Sequence, residues 1–230
     1  MGTYNKSGML QAVLAKFTRI DQQGAPLVGT ENIFWSDAMI SISFTAAYNK
    51  QDDISIVNGA GRICTTFSPP QTLLRMDIGN INFCYPDPAA IEFLAGGIVF
   101  TDGDEDDAPI GYAFPPVGVD PKPNGVAMEL WSSQIQNGAV IGYFHWLMPR
   151  VYLQFTKDQN LDGTNAFDTG LDGIAQENPA FGKGPSSTAP TAGPGVFADW
   201  PVTERVCQWM QEPALPTYSY GYAAVVTPTA

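Results

Sequence analysis

Along much of the chain, apolar and polar residues alternate with a period of two. Ile40, Ile42 and Phe44 alternate with Ser41, Ser43 and Thr45, which predicts a half-buried strand. Phe17 to Ile20, the turn Asp21-Gln22-Gln23-Gly24 and the run Ala25 to Gly29 predict strand, turn, strand. Gly24 suits a positive φ there, and Pro26 cannot sit in a central ladder. Ile54 to Val57 and Arg62 to Phe67 flank Asn58-Gly59-Ala60-Gly61, a hairpin signal between β-branched runs. Leu73 to Tyr85 predicts a long strand bent at Gly79-Asn80, where the alternation changes phase. Val126 to Trp131, Ala139 to Leu147 and Val151 to Thr156 predict three more strands, the last two separated by Pro149, and Tyr218 to Val226 predicts a terminal one that could complete its own sheet or a neighbour's.

One segment breaks the β pattern. Asp87 can cap a helix, Pro88 suits its first position, and Gly96 and Gly97 suit its end, so a short helix is predicted at about 86–96, burying Ile91, Leu94 and Ala95. Residues 101–124 open with the acidic cluster Asp102 to Asp107 and continue rich in Pro and Gly, and 157–198 is a second Gly/Pro-rich excursion; both are predicted to be long loops. Residues 1–16 faintly imitate a signal peptide, but the apolar run is short and stops at Lys16, so an ordered or docking N-terminal arm is predicted. The expectation is a single domain over 1–230, mainly β (α+β): an antiparallel β-sandwich or barrel with one short flanking helix and long loops.

Charge narrows the function classes. Lys and Arg total 11 against 23 Asp and Glu, a net charge of −12, so the chain should repel a phosphate backbone. The 23 glycines and 19 prolines follow no period, which excludes collagen and solenoid architectures. No run approaches the ~20 apolar residues a membrane helix needs. Cys64, Cys84 and Cys207 are an odd number without metal-like spacing and are expected to be buried small hydrophobes in a reducing compartment, a Cys64 to Cys84 disulfide being the alternative.

Candidate chemistry is sparse. The single histidine, His145, lies in an aromatic strand, and pairing with Cys207 or a serine would need a geometry for which the sequence offers no Gly-x-Ser-x-Gly elbow. Glu129 could join one of many aspartates as a glycosidase-like carboxylate pair, a coincidence that 23 acids make cheap. Asp158, Asn160 and Asp162, with Gly163 at position 6, match the start of a calcium loop, although position 12 is Thr169 and an Asp/Asn-stabilised turn explains the same residues. Trp131, Trp146, Trp200 and Trp209 with Tyr218, Tyr220 and Tyr222 suit a core or an assembly interface, or else a sugar platform. No catalytic residue and no cofactor other than structural calcium is expected, and the chain is read as a non-enzyme.

Taken in order, Phe17 to Gly29, Ile54 to Cys64, Leu73 to Cys84 and Asp87 to Gly96 resemble the major tail (tail tube) protein of long-tailed actinobacteriophages. Asn124 to Trp131 followed by Tyr143 to Arg150 is similar to the second half of the same family. The likeness covers about three quarters of the chain and rests on the order of elements. The acidic loop and the excursion after Lys183 depart from it. The resemblance implies a structural virion protein that self-associates into stacked, usually hexameric rings. These form a tube through which the genome passes without being held, with the tape measure and other tail proteins as partners. It implies a place in the virion tail after synthesis in host cytoplasm, no membrane insertion and no catalytic residues. On this reading Asn58, Gly59, Gly61, Leu73, Met76 and Ile78 are candidates for tube-wall contacts, and Asp52 and Asp53 for lumen charges. Other readings are a calcium-dependent β-sandwich carbohydrate-binding module and a head-tail connector or capsid decoration protein.

Overall fold

The computed structural model describes residues 8–27, 29–49, 52–83, 88–103, 109–118, 124–155, 170–181 and 205–222. The protein is mainly β, with antiparallel sheets and one short α-helix among the described residues. The strands are β1 (Gly8–Arg19), β2 (Ile33–Ser36), β3 (Met39–Asn49), β4 (Ile54–Val57), β5 (Ile63–Phe67) and β6 (Thr72–Phe83). After helix α1 (Pro88–Ala95) come β7 (Ile98–Thr101), β8 (Pro109–Ala113), β9 (Val126–Gln136), β10 (Ala139–Phe155), β11 (Leu171–Gln176), β12 (Gln208–Glu212) and β13 (Gly221–Tyr222).

Nine strands form one sheet in the order β13-β2-β1-β9-β10-β11-β6-β3, with β12 added to β10. β2 and β3 lie near opposite ends of this order, yet only Asp37 and Ala38 join them. The three steps from Ser36 to Met39 span no more than ~11 Å, so the sheet has to curl until its ends meet, and β3 returns beside β1. Helix α1 fills the curl. Its Ala90, Ile91, Phe93, Leu94 and Ala95 are buried, so more of its surface is covered than the predicted stripe of Ile91, Leu94 and Ala95. Arg19 at the end of β1 fastens it, with the guanidinium 3.3 Å from Glu92 and 4.8 Å from the Phe93 ring. The principal core unites α1 with Phe17, Phe34, Met39, Ile78, Ile81, Met128, Leu130, Met148 and Leu171 from seven strands.

The predicted bend in β6 is present. Both neighbours of β6 lose register here, β11 between Ile78 and Ile81 and β3 between Gly79 and Asn82, each with a three-residue step in β6 against a two-residue step in the partner. That extra residue lets Ile78 and Ile81, three apart, both point into the core. β10 runs unbroken through Pro149, contrary to the predicted separation. β12 pairs with β10 up to Leu147 and β11 takes over from Arg150, so the proline, which has no N–H, falls where the neighbouring strand changes. A register shift against β9 absorbs the same position.

Other expectations are corrected. Residues 8–16 are part of β1, paired with β9 from Gly8 and with β2 as well from Ala15, with Leu14, Ala15 and Lys16 buried; residues 1–7 lie outside the described residues. The turn after Ile20 forms, with Gly24 at φ 94°, but Pro26 makes a lone bridge and the partner of β1 is β2. Within 101–124, Pro109–Ala113 is a strand paired with β7, and within 157–198, Leu171–Gln176 bridges β10 and β6. The terminal strand is observed at Gly221–Tyr222, paired with β2 of its own sheet. The Asn-Gly pair that makes a two-residue hairpin turn is Asn137-Gly138, both with positive φ, between β9 and β10. At the other hairpin the turn centres on Gly59 and Ala60, and Gly61 takes φ 75°.

Candidate assembly surface and a buried ionic chain

Beyond the register shift, the distal halves of β3 and β6 leave the body, and β4 and β5 continue outward as an arm. Cross-strand partners Ile54 and Phe67, Ser55 and Thr66, Ile56 and Thr65, and Val57 and Ile63 form a two-stranded sheet. Every residue of β4 and β5 is exposed. Ile54, Ile56, Val57, Ile63 and Phe67 each leave more than half of their surface in solvent. A hairpin of this kind is marginal by itself in water, and local chemistry does what it can: Asn58 Oδ1 accepts from the backbone N–H groups of Ala60 and Arg62, both at 3.0 Å. Arg62 is the sole charged residue of 54–67.

A second hairpin, β7 and β8, also displays apolar side chains. Ile98, Phe100 and Ile110 are more than half exposed, as is Phe114 just beyond. Its root is firm: Tyr112 donates its hydroxyl hydrogen to the Gly96 carbonyl and packs against Phe114 and Phe155. Burial, with Glu92 nearby, pushes the Tyr112 hydroxyl up to about 12. Gly97, at φ 110°, sits where a Cβ would strike both Tyr112 and the Ala113 carbonyl. Between the root of the arm and Phe114 lies an open groove of about 940 Å³, lined by Ser43, Thr45, Asp77, Tyr152, Phe155 and Asp172 among others. Among the described residues no histidine, cysteine or lysine lines it; Asp77 is tied to Arg75 at 2.8 Å, and Ser43 Oγ donates to the Gly79 carbonyl at 2.8 Å.

The predicted interface residues separate. Asn58, Gly59 and Gly61 form the arm's exposed tip, and Leu73 is exposed at its root. Met76 is partly buried and packs against the core, and Ile78, 2% exposed, is a core residue with no face left for a neighbour. Asp52 and Asp53 are exposed where the arm begins. Cys64, expected inside, is exposed on the arm; Cys207 is largely covered, and burial raises its thiol to about 11. Asp158, Asn160 and Asp162 lie outside the described residues, as do Cys84 and Trp200. The sequence reading missed the β7–β8 surface because an acidic cluster interrupts its two short strands.

The body carries a different feature on the sheet face opposite α1. Lys16 on β1 donates to Glu129 on β9 at 2.6 Å, and the other Glu129 oxygen lies 3.0 Å from His145 Nε2 on β10. His145 Nδ1 lies 2.7 Å from Glu212 on β12, whose second oxygen accepts from Trp131 Nε1 at 3.0 Å. One residue from each of four adjacent strands thus joins a continuous chain across the sheet. Lys16 and His145 are 1% and 0% exposed. Trp131 stacks on His145 at 4.0 Å, and Trp35 continues the stack toward Tyr218. Burial alone would raise the Glu129 carboxyl, but Lys16 and His145 outweigh it and hold the group at about 2. Burial opposes charge on His145 too, yet the two carboxylates move it above the ordinary histidine range.

This chain disposes of two sequence-level alternatives. Both His145 nitrogens are engaged by carboxylates, so no Cys207 or serine partner is activated by it, and Glu129 is locked between Lys16 and His145. Trp131 is fully buried and Trp146 packs on the core, so they form no platform for sugar; Trp209 is half exposed. A lysine or histidine inside an apolar strand was the available signal for a buried ionic pair, but its partners stand 113 and 67 residues away. Among the described residues no helix is long and apolar enough to cross a membrane, and no cluster of His, Cys, Asp and Glu is arranged to hold a metal. In comparisons with known proteins, the chain matches no family model and no curated protein.

Proposed function

We propose that this chain is a self-assembling structural subunit, and that its assembly is a tail tube of the long-tailed phage type. The single observation that carries the reading is the arm, an extended hairpin whose large apolar residues each leave more than half of their surface in solvent. Large exposed apolar patches mark surfaces that meet another protein, and a second hairpin, β7 and β8, exposes Ile98, Phe100 and Ile110 as well. Contact between unlike surfaces of identical copies generates rings or filaments according to whether the rotation closes. Obligate interfaces bury ~2,000–5,000 Å², and burial of apolar area contributes on the order of 25 cal/mol per Å². Screened repulsion from a net charge of −12 is modest beside that. The acidity suits a conduit, since an acidic wall repels a phosphate backbone over ~8 Å at physiological ionic strength. On this reading Asp52 and Asp53 contribute lumen charge, and tail proteins, the tape measure included, are the partners.

Negative-stain electron microscopy of concentrated protein, with calcium or with EDTA, tests the proposal. Rings or hollow tubes are expected in both buffers, and a variant carrying Ile54→Ser, Ile56→Ser and Phe67→Ser should stay monomeric. Monomers in every condition, including after seeding with a tail initiator complex, would overturn it.

A further inference from the structure

The ionic chain across the sheet has a proton count set by its geometry. An ionised carboxylate is acceptor-only, and a neutral imidazole has one N–H. Both nitrogens of His145 nevertheless face carboxylate oxygens at hydrogen-bond distance. The other two carboxylate oxygens are already supplied: Lys16 serves Glu129 Oε1, Trp131 serves Glu212 Oε2, and no donor besides the histidine ring serves the two inner oxygens in this chain of contacts. Two N–H groups on the ring complete it. With an imidazolium, Lys16 and His145 balance Glu129 and Glu212; with a neutral ring, a buried negative charge is left over and one carboxylate oxygen faces a lone pair.

The two carboxylates are unequal. Glu129 sits in the middle of the sheet and keeps Lys16 whatever happens to the histidine. Glu212 is the last residue of β12, a strand whose described pairing is with β10 alone, and its side chain is 14% exposed. From Glu212 the chain crosses the same sheet face. Leu215 packs with Leu14, Ile33, Trp35 and Trp131, and Tyr218 stacks on Trp35 at 6.0 Å; at the sheet's edge β13 then pairs with β2, where Tyr220 meets Phe34 of the α1 side. Glu212 is therefore where residues 213–222 are fastened to the body.

We propose that His145, doubly protonated between Glu129 and Glu212, is a proton-operated latch that holds β12 and the strap of residues 213–222 on the sheet. Loss of one of its two ring protons, the one on Nδ1, frees Glu212 to turn to water, and the edge strand and strap lift. The groups facing the ring are Glu129 from β9, Glu212 from β12 and, through Glu129, Lys16 from β1; Tyr143 is the other titratable residue of β10 on that face. The folded protein favours the charged ring, so the fastening is complete below the unfolded histidine value and is lost as pH rises through the folded one. The stacked Trp131 face adds to the same preference. This inference is independent of the assembly reading.

Because the chain has one histidine, full-length protein labelled with ¹⁵N-histidine reports this ring alone. At about pH 7 both ring nitrogens should carry protons, and one should be lost in a single step only as the pH is raised above the ordinary histidine range. Across that step, amide exchange in 208–222, corrected for its intrinsic rise with pH, should accelerate about tenfold or more while β9 stays protected. In His145→Gln the segment should exchange fast throughout, with no step. A neutral ring at pH 7 with 208–222 protected would overturn the proposal. So would proton loss without faster exchange, or an unchanged step in the variant. If His145→Gln fails to fold, the two measurements on the unaltered protein decide.

Discussion

In the body, Lys16, Glu129 and His145 are buried, and each is answered by a partner from another strand; in the arm, Ile54, Ile56 and Phe67 each leave more than half of their surface in solvent. The two regions place residue types opposite to where their transfer energies put them, charges inside and hydrophobes outside. Only one of these mismatches is settled within the described chain. The ionic chain is complete in the monomer, whereas the arm is complete only against something else. Residues that serve the fold and residues that serve contact with a partner can thus be told apart by where their compensation lies.

Substitutions sharpen that division. Glu129→Gln should have the largest effect, since it leaves Lys16 as a buried charge without its counterion, a loss of about 3–5 kcal/mol readable by urea unfolding. The carboxyl sits at about 2 in the fold against an ordinary 4.5. Its contribution is therefore present above 4.5 and lost as pH falls toward 2, and the variant should flatten the acid limb of a stability profile. Gly97→Ala comes next: strain at positive φ and the collision with Tyr112 and the Ala113 carbonyl should cost about 1–3 kcal/mol, measured the same way. Smallest is Phe67→Ser on the arm, which should leave monomer stability within ~0.5 kcal/mol. A loss as large as that of Glu129→Gln would show that the arm packs on its own body and erase the contrast.

Features dictated by local chemistry were legible in the sequence. Alternation in β3, the phase change in β6, and Pro88 with Gly96 and Gly97 around α1 all act within a few residues, and all three elements appear. What depended on distant partners was not legible. Lys16 looked like the end of an apolar run because the residue that buries it, Glu129, lies 113 positions later. β11 hid in a glycine- and aspartate-rich excursion because Leu171-Asp172-Gly173 is held as a strand by β10 and β6 rather than by its own propensity. Pro149 read as a break, and only the change of neighbour from β12 to β11 explains why the strand continues. Of the candidate contact residues, the arm tip was marked by its turn chemistry, whereas the burial of Ile78 followed from the extra residue in β6.

The position of β1 between β2 and β9 also sets a schedule. On the ribosome β1 and β2 emerge early and can pair, but the second edge of β1 and the carboxylate for Lys16 arrive only when β9 is made, more than a hundred residues later. Until then the nascent chain carries an open strand edge and an unmatched cation that opposes premature closure of the core. Such long-range pairing slows folding and leaves intermediates open to aggregation. Most of the chain must therefore be synthesised before its sheet can close.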